Sequence, residues 1–133
     1  MFRYVVNQDP MKTKQLNKGL IQLMDEGVAQ LFIKELNNRK IIGTVGALQF
    51  EVIQYRLEHE YGAKCTYEPV QLYKACWISC DDSKKLSEFM ERRRRDIAKD
   101  KHGNLVFLAE SAWTLQMVQE NYPEITFHFK SEF

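Results

Sequence analysis

KIIGTVGALQFEVIQYRLEHEYG, residues 40–62, decides how this chain folds. An apolar run ends on Gly43 and Gly46, and a helix-period pattern follows as far as Gly62. Such a strand–glycine–helix junction can hold an anion, because free N–H groups and the helix dipole favour negative charge there. A dinucleotide fingerprint needs G-x-G-x-x-G, however, and a P-loop needs G-x-x-x-x-G-K-[ST]. Neither is present, and Ala47-Leu48 follow Gly46 with no Lys, Ser or Thr to reach phosphate or magnesium. The junction reads as a turn into a helix, and no nucleotide-binding residue is assigned to it.

That helix is apolar on two sides. At about 100° per residue, Phe50, Ile53, Leu57 and Tyr61 share one face, while Leu48, Val52, Tyr55 and His59 stand nearly opposite. A surface helix usually has a single apolar stripe. The second stripe therefore needs its own cover, either from residues 72–133 or from a neighbouring domain or partner. Leu48, Val52, Tyr55 and His59 are assigned to interdomain packing on this ground.

Working outward, FRYVVN (2–7) alternates and reads as a strand. Asp9-Pro10 opens a helix over 10–26, with Leu16, Leu20, Leu23 and Met24 on one face and Gly27 at its end. Residues 28–36 and 39–46 read as strands joined at Asn37-Asn38 by a two-residue hairpin turn. The second helix (47–61) and a strand (63–70) close a strand–helix–strand–strand–helix–strand order, the ferredoxin-like arrangement. The rest of the chain reads as strand 73–80, charged helix 82–99, strand 104–110, short helix 112–121 and strand 125–132. No glycine- or serine-rich linker separates the halves. The expected fold is α+β: a ferredoxin-like βαββαβ unit over 1–71, then a smaller βαβαβ unit over 72–133, packed as one compact domain.

Composition narrows the function classes. With 19 Lys+Arg against 18 Asp+Glu the net charge is +1, which excludes the strongly basic face of a dedicated nucleic-acid binder but leaves room for local patches. No apolar run approaches the ~18 residues of a membrane span, and no secretory signal opens the chain. Cys65, Cys76 and Cys80 form no C-x-x-C pair and read as reduced thiols. His59, His102 and His128 lack any metal-ligand spacing with them. These features point to a cytosolic domain without membrane or metal.

Two basic clusters stand out. ERRRR (91–95) carries guanidinium groups suited to phosphate. On the helix read over 82–99, Leu86, Phe89, Met90 and Ile97 form the buried face, with Arg93 towards its middle and Arg92, Arg94 and Arg95 fanned around the rest. The alternatives are a solvated helix with Glu and Asp partners or a contact with RNA. Lys14 and Lys18, one turn apart, form the second patch. On the last helix Leu115, Val118 and Tyr122 share a face, and Trp113 with Met117 lies opposite. That pair either fills the joint between the halves or anchors an interface. Asp81-Asp82 reads as a helix cap, and Asp100-Lys-His-Gly103 as a turn rather than a GTPase motif. No catalytic set has local motif context, so no catalytic residue is assigned.

DPMKTKQLNKGLIQLMDEGVAQLF (9–32), IIGTVGALQFEVIQYRLEHEYGAKCTYEPV (41–70) and NLVFLAESAWTLQMVQENYPEITF (104–127) closely resemble the C-terminal domain of bacterial peptide chain release factor three. The first half is also similar, more distantly, to the third domain of elongation factor G. The resemblance implies a parent translational GTPase with a GTP-binding domain and a β-barrel, which uses GTP and magnesium and promotes dissociation of class I release factors from the ribosome. This chain then looks like an excised domain with Met1 at its boundary, holding no cofactor and no GTP-binding residue. The partners implied are the ribosome (ribosomal RNA and small-subunit protein), the factor's own GTP-binding and β-barrel domains and, indirectly, class I release factors, all in the cytoplasm. Lys14, Lys18, Arg56, Arg92, Arg94 and Arg95 are the expected polar contacts and Trp113 the apolar one. Two rivals remain: a regulatory dimer paired through residues 48–59, and a small ferredoxin-like enzyme.

Overall fold

Two βαββαβ units account for the chain in a computed structural model that describes residues 1–130. The first comprises residues 1–32 and 39–70, the second residues 33–38 and 71 onward, so the chain passes between them within one strand.

In the first unit the strands are β1 (Phe2–Asn7), β2 (Gln30–Lys34), β3 (Lys40–Gly43) and β4 (Cys65–Pro69), ordered β4-β1-β3-β2. β1 runs antiparallel to both neighbours, with Phe2 opposite Gly43 and Asn7 opposite Cys65. Helices α1 (Thr13–Asp25) and α2 (Leu48–Tyr61) are its crossovers, and this is the ferredoxin-like arrangement expected. Asp9 caps the start as predicted, its carboxylate accepting from Met11 N at 3.0 Å, but the first turn (Pro10–Lys12) is 3₁₀ before α1 begins. Leu16, Leu20, Leu23 and Met24 are buried, as their spacing required. Gly19 lets α1 and α2 approach closely: a Cβ there would stand 2.7 Å from Leu57 Cδ2 and 2.9 Å from the Tyr61 ring. Gly27 and Gly62 both take the left-handed backbone that ends a helix.

The hairpin between β2 and β3 is longer than a two-residue turn. Five residues, 35–39, connect the strands; Asn38 adopts φ 57°, and its N–H donates to Lys34 O at 2.9 Å. Asparagine tolerates that left-handed conformation, so the Asn pair marks the turn but not its length.

The second unit departs from expectation in a way that changes its topology. Its elements are β5 (Lys74–Ser79), α3 (Ser83–Arg92), β6 (Ile97–Asp100), β7 (Leu105–Ala109), α4 (Ala112–Asn121) and β8 (Thr126–His128), ordered β6-β7-β5-β8. The helix read over 82–99 stops at Arg92. Arg93 leaves helical geometry while its N–H makes a last bond to Phe89 O, Arg94–Asp96 form a 3₁₀ turn, and Ile97 is extended. Residues 97–99 then pair with β7, Ile97 opposite Phe107 and Lys99 opposite Leu105. The physical reason is an ambiguity of period. Ile97 lies seven residues after Met90, which continues a helical face as well as it starts a strand. The smaller βαβαβ unit is therefore a second βαββαβ unit, with the strand order of the first.

The core of this unit is Cys76, Ile78, Phe89, Ile97, Phe107, Ala109, Leu115, Val118 and Ile125. Phe89 sits among aromatic rings, with Tyr122 at 4.8 Å, Phe107 at 5.4 Å and Phe127 at 6.0 Å between centroids. Asp82 caps α3 through Lys84 N at 3.0 Å. The last strand, read over 125–132, is limited to 126–128, and residues 131–132 of that reading lie outside the described residues.

Candidate docking surfaces

Three polar groups of the Gly43–Gly46 turn bond to neighbours within the first unit. Thr44 N donates to Met1 O at 2.8 Å, Thr44 Oγ1 donates to Gly46 O at 2.8 Å, and Gly46 N donates to Gln49 Oε1 at 3.1 Å. Gly43 is needed for packing, since a Cβ would meet the Phe2 ring at 2.9 Å. The turn's work is to launch α2.

What α2 presents is the more informative observation. Phe50, Ile53 and Leu57 are fully buried, while Leu48 is 68% exposed, Val52 41% and Tyr55 62%. Val45, on the turn just before, is 96% exposed. His59 is exposed and stacks on Tyr55, with centroids 3.9 Å apart and planes 19° from parallel; its Nδ1 lies 2.9 Å from Tyr55 O. The second stripe is thus an open apolar surface with an ordered aromatic pair at its end.

Arg56, expected as a polar contact, pairs its guanidinium at the surface of the first unit. It donates to Glu60 through Nε at 2.6 Å and through Nη2 at 3.2 Å, and to Glu26 through Nη1 at 3.1 Å and Nη2 at 3.0 Å. The hydrogen bonds to Glu60, then Glu26, raise its pKa above the ordinary arginine value. The fork ties the end of α1 to α2. Lys14 and Lys18 are exposed on α1 and have no ion-pair or hydrogen-bond partner for their ammonium groups among the described residues.

The arginine run occupies the corner between α3 and β6. Arg93 is half-buried, with Nη1 3.8 Å from Asp96 Oδ2. Burial, then the charge of Glu110, pushes the Asp96 carboxyl above its usual range, and Arg93 opposes that shift. Arg92, Arg94 and Arg95 are exposed, and their guanidinium groups have no ion-pair or hydrogen-bond partner among the described residues. All four arginines line a cleft of about 560 Å³, together with Glu91, Asp96, Glu110 and Thr114. A smaller cleft of about 260 Å³ shares Glu91 and Arg94 with it. Trp113, next to Thr114 in the first turn of α4, is 70% exposed. Met117, read as its companion, instead packs against the core of its own unit. Sequence reading missed that Glu110 and Thr114 line one cleft with the arginines. The signal was Ile97-Ala98: read as a strand, it breaks the helix at Arg92 and folds the corner back towards β7.

Asp100 forms the turn predicted for it. Its carboxylate accepts from Trp77 Nε1 at 3.0 Å, His102 N at 2.9 Å, Asn104 N at 2.9 Å and Asn104 Nδ2 at 3.1 Å. Burial opposes its ionisation, but these bonds, with Trp77 foremost, hold the carboxyl below its ordinary value. Cys65 and Cys76 are buried, and burial pushes each thiol up to about 11, so both are poor nucleophiles at neutral pH. Among the described residues no three His, Cys, Asp or Glu side chains gather as a metal site, and no helix is long and apolar enough to cross a membrane.

Two βαββαβ units that offer one apolar helix face and one cationic corner to solvent define an α+β domain of the ferredoxin-like class. A family model described as class II release factor RF3, C-terminal domain, matches residues 1–119, and the chain belongs to that family. Its role accordingly lies in the work of a translation termination factor.

Proposed function

We propose that this chain is a non-catalytic docking and signal-transmitting domain of a translation termination GTPase. It seats the factor on the ribosome while the factor promotes release and recycling of class I release factors in the cytoplasm. GTP and magnesium belong to the parent's GTP-binding domain, and this domain itself needs no cofactor. The observation that carries the reading is the second stripe of α2: Leu48, Val52 and Tyr55 lie open on a helix whose other face is core. A multi-domain factor supplies such a stripe with cover from its own GTP-binding or β-barrel domain. Lys14 and Lys18, exposed and without partners among the described residues, supply cations for ribosomal RNA or small-subunit protein.

Co-sedimentation of the chain with bacterial ribosomes across a salt series tests this. Saturable binding that weakens with salt, and weakens further in Lys14→Ala/Lys18→Ala, is expected. Absence of saturable binding at low salt would overturn docking by this domain.

The same exposed stripe supports a second reading, pairing of two copies through α2. Sedimentation velocity decides between them: a dimer that Val52→Glu dissociates would favour pairing, and a monomer at every concentration would dismiss it.

A further inference from the structure

The cleft at the α3–β6 corner joins features that lie far apart in the sequence. Three guanidinium groups, Arg92, Arg94 and Arg95, line it without ion-pair or hydrogen-bond partners among the described residues, and Arg93 is held by Asp96 at 3.8 Å. Glu110 and Thr114 also line the cleft, and Trp113, the residue before Thr114 in the chain, is exposed to solvent. At about 560 Å³ the cleft is within the ~300–1,000 Å³ of sites that enclose a small molecule.

We propose that this cleft takes an unpaired, unstacked stretch of RNA, with Arg92, Arg94 and Arg95 on the phosphates and Trp113 stacked on a base. The proposal rests on the ribosome-docking reading and names the chemistry of the partner at one corner. Arginine's planar fork matches phosphate oxygens bidentately, and an exposed indole offers a stacking platform that accepts any base. The two remaining carboxylates, Glu91 and Glu110, separate RNA from an acidic peptide. They can accept hydrogen bonds from base amino groups or a ribose 2′-hydroxyl, donors that the ionised side chains of an acidic peptide lack. A duplex offers the phosphates but keeps its bases stacked inside, out of reach of Trp113.

The test uses a fluorescently labelled eight-nucleotide single-stranded RNA of mixed sequence, followed by anisotropy at low salt. Blunt-ended duplex RNA and poly-glutamate serve as competitors. Expected is binding that quenches Trp113 and is displaced far less well by either competitor. Trp113 is the reporter because Trp77 is buried against Asp100. Trp113→Ala should weaken binding by about 5- to 160-fold, the worth of one stacked base, while Trp113→Phe retains most of it. Arg92→Ala/Arg94→Ala/Arg95→Ala should weaken it at least tenfold and lower the salt dependence by about 2, near 0.7 for each lost phosphate contact. Every side chain changed is exposed, so an unchanged thermal midpoint checks the fold. Equal binding of duplex RNA, indifference to Trp113→Ala, preference for poly-glutamate, or no RNA binding at low salt would each overturn the proposal. Ribosome pelleting is scored separately. If it persists while oligonucleotide binding is absent, the RNA cleft falls and the docking reading stands; if both are absent, both fall.

Discussion

The two units of this molecule share one topology and use their arginines in opposite ways. Each is βαββαβ, with its four strands in the same spatial order. In the first unit the arginines are spent internally. Arg56 forks onto Glu26 and Glu60, and Arg39 bonds Glu68 at 2.7 Å while its guanidinium lies 3.7 Å from the centre of the Tyr4 ring. In the second, three of four consecutive arginines carry no ion pair or hydrogen bond among the described residues. A charge committed to its own fold is unavailable to a partner, so burial and pairing, rather than the count of basic residues, indicate where a polyanion could bind. The helices differ in the same spirit. α1 and α2 meet through a glycine, whereas α3 centres on one aromatic ring.

That last difference predicts the largest effect. Phe89→Ala removes the ring packed against Phe107, Tyr122 and Phe127 and should cost about 3–5 kcal/mol. Amide hydrogen exchange should show the loss concentrated in β5–β8. Equal loss of protection in β1–β4 would show that the two units unfold as one, and the comparison between them would then hold for architecture but not for stability.

Asp100 has no counterpart in the first unit, because no buried carboxylate there gathers four donors among the described residues. Asp100→Asn leaves buried donors facing an amide and should cost about 1–3 kcal/mol near neutral pH. The pH dependence has a definite sign. The folded carboxyl sits below its unfolded value, so its contribution is present above the ordinary carboxylate range and is lost as pH falls through the folded value. Urea titrations should show the gap between the two proteins narrowing on acidification. A gap that widened would mean that Asp100 is not held ionised by these bonds.

Gly19→Ala probes the closer helix pair. The added methyl would stand 2.7 Å from Leu57 Cδ2 and 2.9 Å from the Tyr61 ring, overpacking worth about 1–3 kcal/mol. Alanine's better helix propensity returns about 1 kcal/mol, leaving a net loss of about 0–2 kcal/mol by thermal or urea unfolding. A stabilised variant would show that α1 can shift away from α2 without penalty.

Much of this architecture was legible in the sequence, and the failures share a cause. β1, the predicted faces of α1 and α2, the caps at Asp9 and Asp82 and the whole of α4 follow from local chemistry: alternation, spacing, an N-cap side chain, a glycine stop. The α3–β6 corner did not, because Ile97 satisfies helical spacing from Met90 and strand spacing equally well. Only pairing with Phe107, ten residues further on, decides it. The same misreading hid the cleft. With the helix continued to 99, Arg92–Arg95 fan around a cylinder; with it broken, they line a concavity beside Glu110 and Thr114. The pairing of Arg56 was only half legible for a related reason, since Glu60 lies one turn on but Glu26 lies 30 residues away and no local spacing announces it.

The smallest expected effect sharpens the comparison most directly. Arg56→Ala and Arg92→Ala/Arg94→Ala/Arg95→Ala should separate stability from binding. Loss of Arg56 removes a bidentate tie between the end of α1 and α2, so the thermal midpoint should fall modestly, and by less at high salt because the pairs are surface-accessible. The triple change removes three charges with no internal partner among the described residues, so the midpoint should stay where it is or rise as repulsion between neighbouring arginines is relieved. Ribosome pelleting should respond in the opposite order. A triple variant that unfolds more easily than Arg56→Ala would mean that the cationic corner belongs to the scaffold of the second unit. The contrast between arginines that hold the fold and arginines that serve a partner would then fail.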